Sequence, residues 1–123
     1  MSAFDHLALA TTDLVAAAPG VAAALGVPLE PGGRHAAMGT WNRLAGLGPG
    51  EYLELIAIDP DAPPPGRPRW FGLDGFSGPA RPRAWVVRVP DLDAALARAP
   101  AGAGRPMELA RGDLRWRMAV PED

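Results

Sequence analysis

The chain contains no cysteine, which excludes thiolate catalysis, disulfides and cysteine-type zinc sites while leaving the compartment open. All 12 basic residues are arginines. Without lysine, Schiff-base and lysine-base mechanisms are excluded. Serine occurs only as Ser2 and Ser77, neither in a nucleophile-elbow context. No apolar run reaches the roughly 18 residues of a membrane span, and Asp5 stands where a signal peptide would carry positive charge. The expectation is therefore a cytoplasmic protein that does not engage the membrane. A net charge of -2 gives no basic field to gather nucleic acid. What remains for chemistry is two histidines, the carboxylates, Tyr52 and the arginines. With 48% apolar and 21% charged residues in 123, the chain reads as one globular domain. Arginine in place of lysine, with abundant Ala, Gly and Pro, fits a GC-rich bacterial genome.

Residues 4 to 10 alternate, with Leu7 and Leu9 on one side and Phe4, His6, Ala8 and Ala10 on the other, as in a covered strand. Asp13 offers an N-cap to a helix whose stripe is Leu14, Ala18, Val21 and Leu25, stopped by Gly26. Pro19 within it predicts a kink or a restart. "RHAAMGTWNRLAGL" suits one or two strands, and "EYLELIAI" is a clear strand. The "GPG" between them is a hairpin turn. It is not a phosphate loop, because Glu51 and a strand follow where a helix is needed. From Asp59 to Arg83 the chain is dense in Pro, Gly and Arg, yet Trp70, Phe71, Leu73 and Phe76 predict a segment pinned by a short helical turn. It acts either as a core plug or as a lid. "AWVVRV" follows as a strand, then a helix capped by Asp91 and stopped by Pro100, then short strands in "PMELA" and "LRWRMAV".

A shift of 78 positions places Asp13-Leu14 on Asp91-Leu92 and Ala16-Ala17 on Ala94-Ala95. The order of elements repeats too, which points to a duplicated βαβββ module. The first module spans about 3–60, a connection 61–83, and a second module 84–123 that is one strand short. Its open sheet edge predicts self-association into a homo-oligomer such as a dimer.

The strand "DHLALA", the "DL" before an alanine-rich helix, and "GGRHAAMGTWNRLAGLGPGEYLELIAIDP" together resemble the glyoxalase-like branch of the vicinal oxygen chelate superfamily. The likeness continues more loosely through "RWFGLDG" and "WVVRVPDLDAAL" to "RGDLRWRMAVP". The resemblance implies an α+β fold in which paired modules curl their sheets into a cup. It also implies a divalent metal held by a histidine on the first strand and a glutamate on the fourth strand of each module.

Carried over, the first module offers His6 and Glu54 as metal ligands, with Glu54 also the catalytic carboxylate. The alternatives for His6 are a ligand-binding pocket residue paired with Glu54 and a structural histidine. Ala84, the repeat-equivalent of His6, has no donor atom, so one chain supplies two of four ligands. Trp41 stands where the resemblance implies a second histidine. It either stacks on a flat ligand or fills the cup. Arg88 shares a strand face with Ala84 and Val86 and would favour an anionic ligand there. Arg43 could do the same, the choice between it and Asn42 resting on a hairpin register the sequence does not fix. His35 is placed at the surface or rim. The function implied is a glyoxalase-like protein binding a small anionic or aromatic molecule, with metal-assisted lyase or isomerase chemistry. The alternative is a non-catalytic binding or sequestering module of the drug-resistance type.

Overall fold

The computed structural model describes residues 1–121, so the last two positions of the second module lie outside the described residues. Five strands form one sheet: β1 (Ala3–Ala10), β2 (Glu30–His35), β3 (Thr40–Gly48), β4 (Glu51–Ile58) and β5 (Arg81–Arg88). Their spatial order is β2-β3-β4-β1-β5, and β6 (Arg105–Arg111) pairs with β7 (Leu114–Val120) in a separate hairpin. Helices α1 (Leu14–Leu25) and α2 (Leu92–Arg98) follow β1 and β5. None of the described helices is long and apolar enough to cross a membrane. This is the mixed α+β, cup-like arrangement of βαβββ type that the sequence predicts.

The repeat is visible in the details. Asp13 and Asp91 each accept a hydrogen bond from the backbone N–H three residues on, at Ala16 and Ala94. The antiparallel ladder of β1 and β5 pairs His6 with Val86, Leu7 with Trp85 and Ala8 with Ala84. A two-fold axis through Leu7 and Trp85 exchanges His6 with Ala84, the offset of 78 seen in the sequence. In the first module β4 lies between β3 and β1. Among the described residues the second module supplies β5, α2, β6 and β7, with no strand between β7 and β5.

Two expectations need correcting. Helix α1 is continuous through Pro19 and does not restart there. The carbonyl that loses its partner belongs to Val15, which is 56% exposed, so water can take the place of the missing N–H. Strand β2 begins at Glu30, four residues before "RH", although it contains Pro31, Gly32 and Gly33. It is an edge strand, where a missing N–H need not break a ladder, and its register shifts between Pro31 and Arg34.

Central β4 is covered on both faces. Leu55 and Ala57 pack with Leu14 and Ala18 of α1 on one side. Ile56 packs on the other with Ala10, Met38, Trp70, Leu73, Leu109 and Val120. That second cluster joins the sheet to the β6–β7 hairpin, and the 3-10 segment Trp70–Gly75 is its plug. Phe71 there takes φ 58, a left-handed conformation that costs a non-glycine residue about 1–2 kcal/mol. Arg83 Nε donates to its carbonyl at 2.8 Å and holds it.

Candidate functional site

Alternation along β4 turns Tyr52, Glu54 and Ile56 toward the hairpin side, leaving Leu53, Leu55 and Ala57 toward α1. Glu54 is 4% exposed, and a carboxylate so deep needs partners. Ala8, its neighbour on β1, is small enough to leave its oxygens accessible. His6 Nε2 lies 3.3 Å from Glu54 Oε1. Asn42 Nδ2 donates to Glu54 Oε2 at 2.6 Å and lies 3.2 Å from His35 Nε2. His35 Nε2 is itself 4.0 Å from Glu54 Oε2. One buried carboxylate is thus flanked by two imidazoles.

A second layer fixes these groups. Asp5 Oδ2 sits 2.6 Å from His6 Nδ1, and its other oxygen accepts from Arg88 Nη1 at 2.7 Å. Arg88 also donates to the Gly50 carbonyl at 2.9 Å, tying β5 to the turn before β4. The Tyr52 ring stacks on His6 with centroids 4.5 Å apart and planes 12° from parallel. Asn42 Oδ1 accepts from the Gly33 N–H at 2.8 Å, which orients its amide toward Glu54.

The two imidazoles are driven apart electrically. Burial alone would lower the pKa of His6, but hydrogen bonds to Glu54 and Asp5, with their charges, outweigh it and raise the pKa above 6.5. Burial lowers that of His35, opposed by the charge of Glu54 and assisted by Arg111 and His6. A neutral His35 can accept the Asn42 amide at Nε2, as the geometry requires. Burial, with the charges of Glu54 and Asp5, pushes the Tyr52 phenol up. These groups floor an open cavity of about 1050 Å³, walled by Trp70, Phe71, Val86, Trp116 and Met118.

A family model described as "Glyoxalase-like domain" matches residues 4–123. The chain belongs to the glyoxalase-like domain family. Comparisons with curated proteins and with solved structures find no match.

This glyoxalase-like domain brings together His6, Glu54 and Asn42, and leaves other expected residues outside the cup. Trp41 and Arg43 fall on the opposite face of β3. Trp41 packs toward α1 beneath the Arg34 guanidinium, 4.7 Å from its ring centroid, so it is neither a stacking platform in the cup nor its filling. The register Asn42↔Ile56 settles the hairpin in favour of Asn42 and turns Arg43 away. Arg88 reaches the cavity edge, but as a half-exposed brace on Asp5 and Gly50. His35 is not at the rim. It is buried against the edges of Trp70 and Trp116, because alternation at the end of β2 sends Arg34 outward and His35 in.

The four-ligand set implied by the resemblance is incomplete in this glyoxalase-like domain: Ala84 brings no donor at the position exchanged with His6, and Glu54 Oε2 is engaged by Asn42.

The glycines of "EPGGRH" shape the floor. A Cβ on Gly32 would lie 1.9 Å from Asn42 Oδ1 and 2.8 Å from the Asn42 backbone oxygen. The Gly32→Ala variant must displace Asn42, and we expect it to lose about 1–3 kcal/mol of stability in urea denaturation. A midpoint equal to that of the parent protein would show that the strand accommodates the methyl group elsewhere.

Proposed function

We propose that the cup binds a small molecule with an apolar or aromatic body and an anionic group, and that the His6–Glu54 pair anchors its polar end without a resident metal. The carrying observation is the buried Glu54 carboxylate between two histidines at the floor of an open, aromatic-walled cavity. Buried polar groups beside a mainly apolar wall are the usual composition of a small-molecule site.

The chain has two histidines, so their ring protons report the site directly by NMR. Titrating the protein with a panel of aromatic carboxylates should shift both sets of ring resonances. The affinity should be the same with and without EDTA and should fall about tenfold or more in His6→Ala. Binding that vanishes in EDTA would return the site to metal chemistry. Binding that ignores His6→Ala would move it elsewhere.

A second reading, lyase or isomerase chemistry by proton transfer, is favoured by the opposed shifts of His6 and His35 across one carboxylate. Groups whose surroundings push their pKa values apart are suited to acid and base roles. Deuterium exchange into a bound ligand at carbon next to its carbonyl, lost in Glu54→Gln, would distinguish this from binding alone.

A further inference from the structure

We infer that Arg111 is the group that recognises a carboxylate on the cup's ligand. The inference rests on the reading of the cup as a small-molecule site, and names both the anion's chemistry and its partner.

In β6 the residues Met107, Leu109 and Arg111 share one face by alternation, while Glu108 and Ala110 point away and are exposed. Met107 and Leu109 use that face to join the core beside Met118 and Trp116. An arginine at the third position breaks an apolar pattern. Arg111 is half-buried and lines the cavity, so an acceptor entering the cup can reach its guanidinium. The fold makes room for it: a Cβ on Gly33 would lie 3.0 Å from Arg111 Cδ, so the bare glycine backbone is what lets the stem pass across β2.

Four arginines line the cavity: Arg83, Arg88, Arg111 and Arg117. Arg88 is engaged by Asp5, Arg117 by Asp93, and Arg83 by the Phe71 carbonyl. Among the described residues, Arg111 makes no ion pair and no side-chain hydrogen bond. The carboxylates lining the cavity do not answer it either. Asp5 is held between His6 and Arg88, and Glu54 between His6 and Asn42. The positive charge of Arg111 is nevertheless felt at His35 and Tyr52, across the floor. Its fork of donors suits a carboxylate in two parallel hydrogen bonds. Such a ligand would lay its planar or apolar body along Trp116 and present a second polar group to the His6–Glu54 pair.

The test uses matched probes, 2-naphthoate and 2-naphthamide, titrated into the parent protein, Arg111→Met and Arg111→Lys by NMR and calorimetry. Naphthoate should bind the parent about tenfold tighter than naphthamide. Arg111→Met should abolish that preference, weakening naphthoate much more than naphthamide, and Arg111→Lys should restore part of it. Equal binding of the two probes to the parent, or a preference that survives in Arg111→Met, overturns the assignment to Arg111 and leaves the cup intact. Failure of the cup reading looks different: neither probe perturbs the His6 or His35 ring resonances in any variant, and both proposals fall together.

Discussion

Replacing Trp70 by alanine is expected to lower the free energy of unfolding by about 3–5 kcal/mol, as truncation of a buried tryptophan does. Trp70 is 4% exposed and sits in the cluster that joins Ile56 and Met38 on the sheet side to Leu109 and Val120 of the hairpin. Its indole N–H donates to Thr40 Oγ1 at 3.2 Å, so the truncation also leaves a buried hydroxyl with one fewer partner. The cost therefore combines lost apolar burial, a cavity and a broken polar contact. The site should register the change. The His35 ring meets the Trp70 edge at a centroid distance of 5.0 Å, and burial is the first cause of its lowered pKa. Opening that wall should bring the His35 midpoint back up toward 6.5. A loss below about 1 kcal/mol, with an unmoved His35, would mean that the Trp70–Gly75 segment lies over the cup without holding the hairpin to the sheet.

The strands and caps that carry regular patterns were legible in the sequence; those that break pattern for the sake of the site were not. Alternation in "DHLALA" and the compact apolar run of "EYLELIAI", with the matching Asp13 and Asp91 caps, lead to β1, β4 and the two helices with little ambiguity. The stretch "EPGG" has poor strand propensity, so the expected strand begins only at "RH". Yet its glycines are where Asn42 and Arg111 approach the backbone. Strand propensity records packing of side chains, so it cannot signal a strand that gives up side chains to admit those of its neighbours. Arg111 was hidden for a related reason. Ending the strand "PMELA" at Ala110 assigns the arginine to the turn, and only one more step of alternation puts it on the Met107–Leu109 face. Trp41 and Arg43 show the opposite error. Chemical suitability for a ligand says nothing of which face a strand presents, and the β3–β4 register depends on a shift between Gly46 and Gly48 at the turn.

Two variants of Glu54 should separate its charge from its hydrogen bonds. Glu54→Leu removes the acceptor for Asn42 and the anion beside His6 together, and breaking a buried charged network of this kind costs about 3–5 kcal/mol. Glu54→Gln keeps an acceptor for Asn42 while removing the charge and presenting an amide donor to His6 Nε2, so the larger part of the stability should return while the histidines change. In the parent protein the folded pKa of His6 is raised. Its contribution to stability is complete below the unfolded value near 6.5 and is lost as pH rises through the folded value. His35 is lowered, and its contribution is present above that unfolded value and lost as pH falls through the folded one. Stability should therefore be greatest between the two folded midpoints and decline on both sides. In Glu54→Gln the strongest opposition to burial at His6 disappears, leaving Asp5 alone, and the His6 midpoint should fall. His35 loses the one charge that raises it, so its midpoint should fall as well; the alkaline decline should be smaller and end at lower pH, and the acid decline should extend to lower pH. Ring-proton titrations of the two histidines, read beside urea midpoints at several pH values, measure all of this. An unchanged His6 midpoint in Glu54→Gln would show that Asp5 alone sets its charge and that the buried pair is not the electrostatic centre of the cup.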